Sequence, residues 1–232
     1  EELRPGAPPR VFSLSKIVEV AAHNMGRIRL VWARVWAVLS DFFAAVGCHE
    51  NLAVALYGVD ALRQLAVKFL ERDELANYSF QNDFLRPFCA VIRRSRSPAV
   101  RELVIRCCSQ MVLARGANIK SGWRSMFMVF TSAAGDQDAG IVRLAFDTIE
   151  RIVRDHFVLI ADAQAATFAD AVNCLIAYTN NPHSLDVALN AVAFLRYCAL
   201  QLAEGGVADV PGPEDDRGGE GEEPGSEPTS PP

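Results

Sequence analysis

Four apolar stripes that restart at nearly constant intervals constrain this 232-residue chain more than any other feature. Val54, Val100, Ile141 and Val187 are each followed by apolar or thiol residues five, eight and eleven places on. The sets are Val59, Leu62, Leu65; Ile105, Cys108, Met111; Phe146, Ile149, Ile152; and Val192, Leu195, Cys198. Any amphipathic helix matches those offsets, because they return to one side of a 3.6-residue turn. The starts, however, lie 46, 41 and 46 residues apart, and helical periodicity does not dictate that. Such intervals fit HEAT and armadillo units of roughly 40 to 47 residues. Each unit leaves an apolar face open until its neighbour stacks on it. The predicted fold is therefore all-α, an armadillo/HEAT-like α-solenoid of about five stacked helix pairs. A compact helical bundle, which needs the same stripes but no fixed interval, is the alternative.

Residues 60 to 88 show how one unit is built. Leu62, Leu65, Ala66, Phe69 and Leu70 turn one side of a helix toward a core, while Arg63, Gln64, Lys68 and Glu71 fall on the other. Asp73 to Asn77 supply a break, and Phe80, Phe84 and Phe88 then place three rings on one side of a second helix. Pro87 has no amide hydrogen, so that helix either begins only a few residues earlier or kinks there. Elsewhere the pattern predicts helices from Val11 to Met25, Ile28 to about Gly47, Asn51 to Glu71 and Asp83 to Arg94. Others follow from Ser97 and Pro98 to about Arg115, Ile119 to Ala134, Asp138 to about Phe157, around Phe168 to Leu175, and His183 to about Glu204. Strand signals are nearly absent.

Residues 1–10, with three prolines, are predicted to be a flexible leader, 11–204 the helical repeat domain, and 205–232 a disordered acidic Gly/Pro/Glu tail. The missing initiating Met suggests a fragment. The net charge of -5 is uneven: the tail holds eight acids against Arg217 alone, a contribution of -7, which leaves +2 on residues 1–204. So weak a basic balance argues against a nucleic-acid partner. Six cysteines without CxxC spacing suggest free thiols in a reducing compartment. Four scattered histidines give little support to a metal site, and no phosphate loop, nucleophile elbow or HExxH helix points to catalysis or a cofactor. No uncharged apolar stretch or signal peptide is evident, so a soluble chain is expected.

The candidate contacts are therefore with partners. Arg27 and Arg34 lie seven residues apart, which would put them on one side of the second helix opposite Trp32 and Leu39, with Arg29 on the flank. That is either a solvated face or a docking strip for an acidic partner or an anionic membrane surface. Asn77, Gln81 and Asn118 fall at helix junctions, where they cap exposed backbone ends or shape a ridge on which a partner rests, and Arg86 belongs to the same stretch. Asp60 and Arg63 have the spacing of a helical ion pair. Trp32, Trp36 and Trp123 are expected to fill space between repeats.

The strings RIRLVWARVWAVL, ELANYSFQNDFLRPF and NIKSGW mix polar and apolar residues in ways periodicity does not require. With SPAVRELVIRCCSQMV they resemble the region that follows the catalytic domain of the large brefeldin-A-inhibited exchange factors for Arf GTPases. Residues 11 to about 155 carry the likeness. The resemblance implies a protein acting in GDP-for-GTP exchange on Arf, cytoplasmic and peripherally attached to trans-Golgi and endosomal membranes, in vesicle budding and sorting. Exchange belongs to another domain, so no residue here is expected to be catalytic. What the resemblance implies for this chain is a regulatory helical region, with an Arf-family GTPase and the exchange domain of the same parent protein as partners. A homodimer is among the assemblies it allows. A scaffold or adaptor solenoid unconnected with GTPases is the other reading.

Overall fold

The computed structural model describes residues 11–73, 79–163 and 165–204. Among the described residues ten α-helices follow in order: α1 (Phe12–Asn24), α2 (Arg29–Gly47), α3 (Leu52–Leu70), α4 (Phe80–Arg94), α5 (Pro98–Arg115), α6 (Gly122–Ala134), α7 (Ala139–Asp155), α8 (Phe157–Ala163), α9 (Ala165–Thr179) and α10 (Leu185–Ala203). A short 3-10 turn, Gly116–Asn118, precedes α6, and there is no strand among the described residues.

Alternate helices touch. One layer runs α1, α3, α5, α7, α10, and the other runs α2, α4, α6, α9. This is the stacking of a solenoid, in which each hairpin meets its predecessor and successor. In chain order the described helices alternate between the layers as α1/α2, α3/α4, α5/α6 and α7/α9, with α8 inserted in the last, and α10 extends the first layer.

The four repeating stripes are the inward faces of α3, α5, α7 and α10, all in one layer. Val54, Val100, Ile141 and Val187 are each buried, at 3% exposure or less. The interval has a second marker three residues upstream of each start, where Asn51, Ser97, Asp138 and Ser184 are the N-caps, all with extended ψ. Asn51, Asp138 and Ser184 accept hydrogen bonds from amides of the first turn, while Ser97 is followed by proline at the first helical position. Such caps end the orphaned amides of a helix start and fix where each unit begins. The stripe weakens in the last helix: Val192 is 47% exposed and Leu195 half-buried, whereas their counterparts Val59, Ile105 and Phe146, and Leu62, Cys108 and Ile149, are buried. Helix α10 packs on α9 and touches α7, and its other side presents Leu185, Leu189 and Leu200 to solvent.

Pro87 sits inside α4, which runs unbroken on both sides of it. Without a Pro87 amide, the carbonyl four residues back has lost its helical donor. The indole Nε1 of Trp36 supplies the replacement, donating to the Asp83 carbonyl oxygen across the α2–α4 contact at 3.3 Å. A helix-breaking residue is thus turned into an inter-repeat tie. Close approach of α2 to α3 and α4 depends on glycine: a Cβ at Gly58 would lie 2.5 Å from Val46 Cγ1, and one at Gly47 would lie 2.6 Å from Val91 Cγ2. Residues 29–47 and 185–203 are long and apolar enough to cross a bilayer by length and composition alone. In α2, however, Trp32, Trp36 and Phe43 are buried in the common core, as befits a helix packed between repeats.

Within the α5/α6 pair, Arg101 donates from Nε and Nη2 to both oxygens of Asp136, at 2.6 and 3.0 Å, with its partner's side chain only 7% exposed. That fork joins the start of α5 to the turn after α6, and bidentate geometry fixes direction as well as distance.

Candidate partner-binding site

The sequence places Arg27 and Arg34 on one helix face; the structure separates them. Helix α2 begins at Arg29, its N-cap Ile28 has extended backbone (ψ 142°), and Arg27 stands in the preceding turn, so a helical wheel cannot be drawn through it. Arg27 Nε instead donates to Asn24 Oδ1, an anchor at the end of α1. Arg34 lies on the exposed side of α2, in line with Asp41 two turns later.

What gathers around Arg27 is a different set. Arg27, Arg29, Arg72, Trp32, Phe80 and Gln81 are among the residues lining a cavity of about 250 Å³ at the junction of the first two repeats. Arg72 is held there by its own bond, Nη1 donating to the Met25 carbonyl at 2.6 Å. Trp32 is 2% exposed, and its indole Nε1 has no hydrogen-bond partner among the described residues. Three guanidinium groups and an indole N–H suit an acceptor that carries negative charge, although Asp73 also borders the space. Arg72 escaped sequence reasoning because it looked like one more exposed charge at a helix end. The 47-residue reach to Met25 is a product of the stacking.

Gln81 lies at the floor of the same junction and is 1% exposed. Its Nε2 donates to the Asn118 carbonyl at 2.9 Å, and its Oε1 accepts from the amides of Lys120 at 2.8 Å and Gly122 at 3.4 Å. Asn118 in turn donates from Nδ2 to the Leu70 carbonyl at 2.9 Å, and Ser125 Oγ donates to the Asn82 carbonyl at 2.9 Å. These amides therefore cap backbone ends of α3 and α6, one of the two roles expected at the junctions. Gln81 has no surface with which to touch a partner, and supports the wall of the cavity instead. Arg86 is exposed on α4 and, with Arg94, lines a second groove against Ser40 and Asp41 of α2. Asn77 lies outside the described residues.

The thiols are held neutral by burial. Desolvation raises Cys89 and Cys198 to about 11 and Cys107 and Cys174 to about 12, and lifts Cys108 well above the ordinary range. Half-buried Cys48 is also raised, with Arg94 opposing the shift. The unfolded chain ionises its thiols near ~8.5. The stability these groups contribute is thus fully present below that pH and is lost as pH rises toward 11 or 12. Thiolate ultraviolet absorbance from the five buried cysteines of the folded chain should appear only above about pH 10, while in urea it should rise near ~8.5. Coincident curves would show that burial does not govern these thiols. No group of three His, Cys, Asp or Glu side chains that could hold a metal comes together among the described residues.

Comparison with known proteins places these helices. Residues 68–151 match the family described as Mon2/Sec7/BIG1-like, HDS. Brefeldin A-inhibited guanine nucleotide-exchange protein 1 of Arabidopsis thaliana is 59% identical over 206 residues, 89% of this chain and 12% of that protein. Protein 3 of the same name and plant is 57% identical over 205 residues, 88% of this chain and 12% of the relative. The human brefeldin A-inhibited guanine nucleotide-exchange protein 1 is 48% identical over 204 residues, 88% of this chain and 11% of the relative. A match of 206 residues cannot fit within 11 to 155, so the likeness runs on into the last helices, beyond where the sequence strings alone placed it. The chain spans about an eighth of the length of these relatives. An all-helical stack with this identity over nine-tenths of its length is a region of the brefeldin-A-inhibited guanine nucleotide-exchange type.

Proposed function

We propose that this chain is a non-catalytic regulatory helical region of an Arf guanine nucleotide exchange factor, acting on the exchange domain of its own parent protein during trans-Golgi and endosomal trafficking. The observation that carries this reading is the 59% identity across 206 residues to a protein named for nucleotide exchange. The described residues form packed helices, and the arginines at the junction of the first two repeats offer a charged site for contact. The reading assigns the charged cavity of Arg27, Arg29 and Arg72 to an acidic group of a partner: the Arf GTPase, the exchange domain or a membrane headgroup. Arg34 and Arg86 form a separate contact area on α2 and α4.

A control element changes a rate only through contacts that differ between two states of its partner. The test joins this chain in cis to its exchange domain and follows nucleotide release from Arf on anionic liposomes. The joined protein should differ at least about threefold from the exchange domain alone, a coupling of roughly 0.7 kcal/mol, and Arg27→Glu with Arg72→Glu should remove most of the difference. Equal rates with and without the chain would reject the regulatory role. Acceleration by this chain without any exchange domain would reject the non-catalytic one.

A further inference from the structure

The two layers of the stack treat their arginines differently. In the layer of α3, α5, α7 and α10 most guanidinium groups are matched: Arg63 with Asp60, Arg106 with Glu102, Arg115 with Glu71, Arg143 with Asp186 and Arg154 with Glu150, the exceptions among the described residues being Arg151, bonded to the Ser109 hydroxyl, and Arg196. On the other layer, Arg34 of α2, Arg86, Arg93 and Arg94 of α4 and Arg124 of α6 are exposed, and none is in an ion pair among the described residues. Among the described residues Arg93 bonds only to the Ser132 hydroxyl, 3.1 Å away, and the acids Asp41 and Asp83 share this face without pairing to any of the five.

The three helices run side by side in the same direction. Asp83 meets Trp36 near the start of α4, Asn82 meets Ser125, and Arg93 meets Ser132 near the far end. The unmatched guanidinium groups thus form one basic sheet-like surface rather than scattered points. The same chain carries its complement. Asp209, Glu214, Asp215, Asp216, Glu220, Glu222, Glu223 and Glu227 lie within nineteen residues, with Arg217 the only basic residue among them.

We infer that the acidic segment 209–227 docks on the basic face of α2, α4 and α6 and so screens it from other anions. Reach is sufficient. From the end of α10 the segment must cross α9 to arrive at α6, and helices pack about 8–10 Å apart. Nineteen extended residues span about 60 Å, enough to pass over α6, α4 and α2 in turn. Tethering supplies a local concentration of about a millimolar, so weak, many-point attraction suffices. Salt weakens it, because exposed charges are screened beyond a Debye length.

The test uses the full chain and a variant with the eight acids amidated (Asp209→Asn, Glu214→Gln, Asp215→Asn, Asp216→Asn, Glu220→Gln, Glu222→Gln, Glu223→Gln, Glu227→Gln). At about 0.01 M salt, where the screening length is about 30 Å, amide chemical-shift differences between the two should cluster on α2, α4 and α6. They should vanish at about 1 M salt and in a background of Arg86→Glu, Arg94→Glu and Arg124→Glu, surface changes that leave the fold intact. The amidated chain should also bind phosphatidylserine vesicles at least about threefold more tightly than the native chain, as a released competitor predicts. Shift differences confined to residues 205–232, or spread equally over both layers, would overturn the docking. So would equal vesicle affinity with either tail, which would leave the face open to an anionic lipid surface. None of these readouts involves Arf or an exchange domain, so they fail or succeed independently of the proposed function.

Discussion

Replacing Phe84 by alanine is expected to destabilise the protein by about 3–5 kcal/mol, the range for a large ring removed from a packed core. Phe84 is fully buried and lies between two parallel rings, its centroid 3.9 Å from Trp36 of α2 with 15° between planes, and 4.2 Å from Phe69 of α3 with 5°. Trp32 stacks further out at 6.5 Å. One side chain of α4 thus fills the space where three helices of two repeats meet, and backbone that is committed to adjoining helices cannot collapse into the hole. Helix-pair stacks derive stability from intrinsic and nearest-neighbour terms, so the loss should fall on the first two pairs. Urea unfolding followed by tryptophan fluorescence would then separate, with Trp32 and Trp36 reporting an early transition and Trp123 a later one. A single unshifted transition in Phe84→Ala would show that this aromatic column is not what joins the first repeats. Phe80, half-buried at the edge of the same column with its ring 5.4 Å from Phe69, should cost clearly less when truncated.

The column illustrates what a linear sequence discloses. The spacing of Phe80, Phe84 and Phe88 was enough to place the rings on one side of a helix, and the restart of Val54, Val100, Ile141 and Val187 was enough to assign four helices to one layer. Both follow from local periodicity, which the chain writes plainly. The cap residues that reinforce the interval were equally legible, since Asn51, Ser97, Asp138 and Ser184 occupy the same offset three residues before each stripe. Contacts between repeats were not legible. Pro87 left two alternatives open because its resolution, the Trp36 indole on the Asp83 carbonyl, comes from a residue 47 positions from that carbonyl. The arginine pattern misled for a related reason: a seven-residue spacing means one helix face only if both residues are in the helix, and Arg27 precedes the α2 cap. Its true neighbour, Arg72, arrives through stacking of α3 against the α1–α2 turn, a relation no local pattern encodes.

Gln81→Ala is expected to cost about 2–4 kcal/mol, more than a typical surface substitution, because each buried group left without a partner costs about 1–3 kcal/mol. One primary amide serves three backbone groups there: it donates to Asn118 and accepts from Lys120 and Gly122. The turn carrying those groups leads into α6, and Asn118 also ties it to the end of α3 through the Leu70 carbonyl. Asn118→Ala should therefore be non-additive with Gln81→Ala, with a coupling of about 0.5–3 kcal/mol in a double-mutant cycle. Full additivity would mean that the two amides act separately. Because Gln81 also borders the cavity of Arg27, Arg29 and Arg72, its loss should weaken partner binding through the wall it supports, and stability and binding should fall together. Arg27→Glu, an exposed substitution, should weaken binding while unfolding stays within about 0.5 kcal/mol of the native chain. That contrast separates a residue that shapes the site from one that meets the partner. If Gln81→Ala lowered stability yet left binding untouched, the cavity would not be where the partner sits.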